Sequence, residues 1–92
     1  MRTSTLRSFL MLLIAIPQLV QAATYYVSPA GNDGNSGNSQ AQAWKTIGRV
    51  NQISAQLQPG DKILFERGGV YRGKLTISSS GTAGNRIEVG AY

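Results

Sequence analysis

The sequence predicts a mostly β chain of short strands stacked in coils, opened by one amphipathic helix. Three observations predict it. Ile63, Leu75 and Ile87 recur every 12 residues, and Phe65, Ile77 and Val89 repeat that interval. Short apolar runs are bounded by Gly, Pro, Asn and Ser clusters, the punctuation of strands and turns. Between Trp44 and Leu57 the apolar period changes to three and four, the spacing of a single helix face. Two strand-and-turn units make 24 residues, within the ~20–50-residue period of solenoid repeats. On that spacing Ile87 lies above Ile63 one coil later, and Leu75 lies on a different sheet of the same coil. A plain β-meander would satisfy the same two intervals.

The first residues read as a leader rather than as fold. Arg2 and Arg7 lie in a short polar start, and Phe9 to Val20 is an apolar run interrupted by Pro17 and Gln18. That run is 12 residues long, against the ~20 that a spanning helix needs. Val20-Gln21-Ala22 offers small residues at the two positions a signal peptidase reads, so residues 1–22 are expected to be a signal peptide cleaved after Ala22. An uncleaved anchor or a buried helix is the alternative. The expected location is secreted or periplasmic, with no stable membrane span. The chain has no cysteine, which excludes a lipid-attached lipoprotein and any disulfide.

A leader of 22 taken from 92 residues leaves 70, residues 23–92. Domains of this size have marginal cores, and this one has neither disulfides nor a histidine to build a metal cage. The sequence therefore reads as one end of something longer, or as a unit that packs on a partner. Two of the nine Lys and Arg residues lie in the leader, leaving seven against four acids, a net charge of +3. That excess suits an acidic polysaccharide or a membrane surface, or is simply a solvated surface. No basic run with interleaved aromatics points to nucleic acid.

Each element follows in order. Thr24-Tyr25-Tyr26-Val27-Ser28 is aromatic and β-branched, a strand that Pro29 ends. Ala30 to Ala43 is dominated by Gly, Asn, Ser and Gln and reads as an ordered surface loop. Ile47, Val50, Ile53 or Ser54, and Leu57 form one stripe, with Trp44 at its leading edge. Thr46 is the N-cap and Pro59-Gly60 the breaker of a helix from about Thr46 to Leu57. Ile63 and Phe65 then alternate with Lys62, Leu64 and Glu66. Gly68-Gly69 turns the chain, Leu75 and Ile77 flank Thr76 in a further expected strand, and Ile87 begins the last alternation.

Taken together, Thr24 to Pro29, Gly31-Asn32-Asp33, Trp44 to Ile47, Pro59-Gly60-Asp61, Gly68 to Gly73, Ser80 to Asn85 and Gly90-Ala91-Tyr92 occur in an order that resembles the N-terminal part of secreted bacterial right-handed parallel β-helix proteins. Those include pectate-lyase-like polysaccharide lyases. The resemblance implies an N-terminal capping helix plus the first coil or coils of a right-handed parallel β-helix, an incomplete domain. The helix would cover the open end of the stack, and Ile63, Phe65, Leu75, Ile77, Ile87 and Val89 would point into the coil. It implies a polysaccharide lyase acting on an acidic polysaccharide such as pectate or alginate. Its catalytic base and calcium-binding acids would lie in later coils, so no catalytic, cofactor or metal residue is carried onto this segment. Partners would be the polysaccharide, the downstream coils or a second copy at the open coil edge. A non-catalytic glycan-binding or surface module, and an inactive truncated remnant, stay open.

Several motifs invite chemistry. Gly68 to Lys74 comes close to a phosphate-binding loop, but Leu75 stands where Ser or Thr must reach magnesium. Asp33, Asn35 and Asn38 could offer oxygens to calcium, without the closing Glu of an EF-hand. Arg67, Arg72 and Lys74 could pair with uronate carboxylates. Asp61 and Glu66 could form a glycosidase pair. Tyr25, Tyr26, Tyr71 and Tyr92 could stack on sugar rings. In each case the plainer reading is structural: a turn, an exposed charged edge or half-buried packing.

Overall fold

The computed structural model of the protein describes residues 21–92. The leader expected at residues 1–22 lies almost wholly outside the described residues. Three strands of four residues each, β1 (Thr24–Val27), β2 (Lys62–Phe65) and β3 (Glu88–Ala91), form one sheet in the order β1-β2-β3. Both pairings are parallel. Parallel neighbours need a crossover, since a tight turn cannot return the chain to the same end of the sheet. The first crossover carries the helix α1 (Ile47–Ile53), extended by a 3-10 turn at Ser54–Gln56.

Alternation sorts the strand residues between the two faces. Tyr25, Ile63 and Val89 form one row, and Val27, Phe65 and Ala91 the next. Val27 and Ile63 are fully buried, and with Trp44, Val50 and Leu57 they make the core. The helix forms where the sequence places it for local reasons. The Thr46 side chain accepts the Arg49 N–H at 3.2 Å, which satisfies one of the orphan donors of the first turn. Ile47 and Val50 bury one stripe. Gly60, at φ +90°, then reverses the chain into β2.

The Gly/Asn/Ser-rich stretch folds back along the free edge of β1. Tyr26 donates to Gly37 and accepts from Trp44, and Ser28 donates to Trp44, so the backbone groups of that edge are used within the chain. Trp44 therefore belongs to the sheet edge, bridging to Val27, rather than to the leading edge of the helix.

The structure corrects the expected fold class. In place of a capping helix over the first coils of a right-handed parallel β-helix, the described residues form one small open three-stranded parallel sheet with one helix. Among the described residues the sheet does not close, and no coil stack lies beneath the helix for it to cap. The decisive departure is at Leu75–Ile77, where no strand forms. The backbone groups that a neighbouring strand would need are taken by a helix side chain. Asn51 donates through Nδ2 to the Lys74 carbonyl at 2.8 Å and accepts the Thr76 N–H at 2.8 Å. Ser54 then holds Ser78 and Ser79 through hydroxyl contacts of 2.9 and 2.7 Å. The segment lies on α1 as irregular chain, and Leu75 and Ile77 pack against the core from there. Replacing Asn51 by Ala removes both backbone partners. We expect a loss of about 1 kcal/mol locally, hence roughly fivefold faster exchange of the Thr76 amide, read by hydrogen-exchange NMR.

The register differs as well. Ile63 pairs with Val89, not with Ile87. Glu88 N–H donates to Asp61 and Tyr92 N–H to Phe65, both at 3.0 Å, which fixes the alignment from each end. A shift of two residues keeps every side chain on its face, so the alternation survives the change of register. Val89, expected in a coil interior, is 45% exposed because no described residue covers it.

Candidate functional site

Each carboxylate and aromatic group that the sequence offers for chemistry has a definite place. Asp33 does not meet Asn35 and Asn38 around a cation. Its Oδ1 accepts the Lys45 and Thr46 N–H groups at 2.8 and 2.9 Å, and its Oδ2 accepts the Thr46 hydroxyl at 2.6 Å. The Asn35 side chain donates to the Ala43 carbonyl while its backbone carbonyl accepts the Trp44 indole N–H, and the Asn38 side chain accepts the Ser36 hydroxyl. The three side chains are thus divided among three local tasks. Among the described residues no group of three or more His, Cys, Asp or Glu gathers as a metal site.

Partial burial alone pushes Asp33 up. The Thr46 hydroxyl, the two backbone amides and the Arg49 charge outweigh it and hold the carboxyl below its ordinary value. A depressed carboxylate stabilises the fold above its unfolded pKa and loses that contribution as pH falls through the folded value. Asp33→Asn is therefore expected to cost about 1 kcal/mol near neutral pH. That difference should shrink as pH falls below the ordinary carboxylate range, ~3.9 for Asp. Chemical denaturation of both proteins across that range checks it.

Asp61 and Glu66 flank β2 at opposite ends. Five residues of strand at ~3.3 Å each separate them by roughly 16 Å, against the ~5–9.5 Å of a glycosidase acid pair. Asp61 is 3% exposed and accepts the Ala23 and Gln58 N–H groups, both at 2.8 Å. Glu66 accepts the Ser28 hydroxyl at 2.6 Å. Glu88, the remaining acid of the chain, is exposed on β3.

The glycine turn at Gly68 to Lys74 leads into irregular chain rather than a helix, so no helix N-terminus is there to hold a phosphate. Gly68 and Gly73 take positive φ angles. The Tyr71 hydroxyl lies 2.9 Å from the Glu66 carbonyl and 3.2 Å from that of Val27, and its ring meets Phe65 edge-on at 4.9 Å. Burial pushes the Tyr71 phenol up, as does the Glu66 charge, against the lowering effect of the Glu66 backbone bond. Tyr25 stacks on Trp44 and is packing, not platform. Tyr26 and Tyr92 form an edge-to-face pair at 5.2 Å, partly exposed, and burial and then the Glu66 charge raise Tyr92.

Two concavities bring candidate side chains together, and of these two only the larger has the volume of a ligand pocket. The larger, about 430 Å³, has Ile77, Ile87 and Val89 with Ser79, Thr82 and Arg86 at its polar margin. It falls within the ~300–1,000 Å³ of ligand pockets, with the usual mix of apolar wall and few polar groups. Sequence reasoning missed it because its walls come from the irregular segment 77–87, which was read as strand and turn. A smaller one, about 210 Å³, brings Lys45 and Arg72 together with Ile47 and Val70. Of the three cations proposed for uronate, only Arg72 lines it. No helix among the described residues is long and apolar enough to cross a membrane.

Comparison with known proteins corrects the resemblance drawn from the motifs. No family model matches the chain. Over 73 residues the chain is 41% identical to a lacto-N-biosidase of Bifidobacterium longum subsp. longum, covering 75% of this chain and 4% of that protein. It superposes on the crystal structure of the GH136 lacto-N-biosidase from Eubacterium ramulus with a TM-score of 0.69 at 40% identity, covering 76% of this chain and 11% of that one. XylC, solved in complex with xylose, gives a TM-score of 0.60 at 26% identity over 74% of this chain and 10% of that one. The chain thus spans about a tenth or less of the length of the relatives it matches. These relatives overturn the expected kinship with pectate-lyase-like polysaccharide lyases, and with it the lyase reading on pectate or alginate. The motifs misled for a physical reason. Gly31, Asp33 and Pro59-Gly60-Asp61 shape the backbone and Trp44 fills the core, and such residues carry no information about which bond an enzyme breaks.

Proposed function

We propose that the chain is part of an exported glycoside hydrolase of lacto-N-biosidase type, in which this segment is supporting structure rather than the source of the reacting groups. The observation that carries the reading is the 41% identity over 73 residues to a lacto-N-biosidase. The superposition on a second lacto-N-biosidase at TM-score 0.69 supports it. The substrate class is then a glycoside whose non-reducing end is the disaccharide such an enzyme releases. Hydrolysis of this kind takes two carboxyl groups ~5–9.5 Å apart across the scissile bond. Asp33, Asp61 and Glu66 are each engaged in holding backbone or hydroxyl groups, which favours the supporting role. Export rests on the leader pattern of residues 1–22.

The test is hydrolysis of a nitrophenyl lacto-N-bioside by the protein that carries this segment, followed by nitrophenol absorbance. Release of nitrophenol is expected, and no release would overturn the hydrolase reading. Glu66→Gln is expected to leave kcat unchanged. A loss of about a hundredfold or more, the usual contribution of a general acid or base, would place Glu66 in the reacting pair and overturn the supporting role.

A further inference from the structure

We propose that the α-ammonium group of Ala23, generated when a signal peptidase removes residues 1–22, docks on the buried carboxylate of Asp61 and latches the first strand to the second. The inference rests on the export part of the proposed function and is independent of its hydrolase part.

Asp61 is a buried acid, 3% exposed, sitting where Gly60 turns the chain into β2. A carboxylate out of water needs hydrogen bonds and, better, an opposite charge. The structure gives it two donors, the N–H of Gln58 on Oδ2 and the N–H of Ala23 on Oδ1, both at 2.8 Å and both uncharged amides. One of those two nitrogens is the atom that cleavage after Ala22 would change. Hydrolysis of the Ala22–Ala23 amide adds one water. The carbonyl carbon of Ala22 leaves as a carboxylate, and the Ala23 nitrogen, protonated at neutral pH, stays as an ammonium. The existing 2.8 Å contact then becomes a charge-assisted hydrogen bond, shorter and stronger than its neutral counterpart.

The surroundings fit that role. The Ala23 carbonyl accepts the Lys62 N–H at 2.9 Å, so the residue is clamped to β2 from its other side as well. Asp61 in turn accepts from Glu88 of β3 through its carbonyl. One residue therefore ties the start of all three strands. Gln21 and Ala22 are exposed, and their removal takes nothing from the core. The charged side chains around the site are Lys62, Arg86 and Glu88, which line the surface hollow beside Gly60 and are exposed. None of them substitutes for the ammonium inside it.

The experiment uses the protein purified from an exporting cell. N-terminal sequencing is expected to begin at Ala23, and a start elsewhere would overturn the latch while leaving the hydrolase assay unaffected. The α-amino group is then titrated by NMR. Its pKa is expected to rise clearly above the ~7.7–8.0 of a free terminus, and to return to that range in Asp61→Asn. A raised value means stability that is complete below the unfolded pKa and is lost as pH rises through the folded one. The thermal midpoint of the mature protein should therefore fall between about pH 8 and 10, the upper part of the range in which an amine raised from its ordinary value titrates. Should Asp61→Asn not fold, Nα-acetylation of the intact mature protein removes the charge without touching Asp61, and it should abolish that pH dependence. An α-amino group that titrates normally in a protein beginning at Ala23 would overturn the proposal.

Discussion

Trp44→Ala is expected to unfold this sheet-and-helix unit or bring it close to unfolding. Trp44 is the only tryptophan of the chain and is 2% exposed. Its ring stacks on Tyr25 with centroids 5.1 Å apart and planes 12° from parallel. The Arg49 guanidinium lies over it at 4.9 Å from the ring centroid. Its indole N–H donates to the Asn35 carbonyl at 2.7 Å. Truncation removes the largest buried side chain and leaves a cavity, at a cost of about 3–5 kcal/mol. Set against the ~5–15 kcal/mol that holds a typical domain together, that is a large share. Trp44→Phe separates the contributions. It keeps a ring on Tyr25 but leaves the Asn35 carbonyl without its donor, so it should cost roughly 1–3 kcal/mol. Urea denaturation followed by far-ultraviolet circular dichroism reads both variants without relying on tryptophan emission. A midpoint for Trp44→Ala within error of the parent would contradict the placement of this side chain at the centre of the core.

The same residue shows what could be read from the sequence and what could not. The helix was legible because its causes are local. The Thr46 cap and the stripe Ile47, Val50, Leu57 lie within one short window and are used as expected, although the α-helix itself ends at Ile53 and a 3-10 turn carries the chain to Gln56, short of the Pro59-Gly60 stop. Strand β1 was legible from its aromatic and β-branched run closed by Pro29, and β2 from alternation, for the same reason. Leu75 to Ile77 was not. Its alternation is that of a strand, but its conformation is decided by Asn51, about 25 residues earlier in sequence, whose amide takes the backbone bonds. Propensity is a weak prior where a tertiary partner competes for the same N–H. The register failed similarly. Equal intervals matched Ile87 to Ile63, while the Thr82–Asn85 turn and the Glu88 bond to Asp61 set Val89 there instead.

The candidate acids were visible as residue types, but their engagement was not. Asp33 reads the same in sequence whether it binds a cation or caps a loop. Only the three bonds to Lys45 and Thr46 decide it. Reaction chemistry was least legible of all, because the motifs that stand out most are those that shape the backbone, and unrelated enzymes share them.

Gly37 carries the second large effect, and it follows from the same tryptophan. The residue has φ +78°, a region that side chains with a Cβ seldom enter. A Cβ built there would lie 2.4 Å from Cε2 of the Trp44 ring. The backbone cannot retreat freely, since Gly37 accepts the Tyr26 N–H at 2.7 Å and donates to the Gln42 carbonyl at 2.8 Å. Gly37→Ala therefore faces three options, each unfavourable. It can hold a strained φ, at about 1 kcal/mol or more. It can displace a ring that is stacked on Tyr25 and bonded to Asn35, an overpacking cost of about 1–3 kcal/mol. Or it can break the contacts that cover the edge of β1. The expected sum is on the order of 3 kcal/mol, against a few tenths for Gly84→Ala, where an added Cβ meets nothing within 4 Å. The two variants share the chemistry of the change and differ only in what surrounds it. Comparing their denaturation midpoints isolates the packing of this loop on Trp44. If Gly37→Ala proved as mild as Gly84→Ala, the loop would not be seated on the tryptophan, and the edge of β1 would be uncovered.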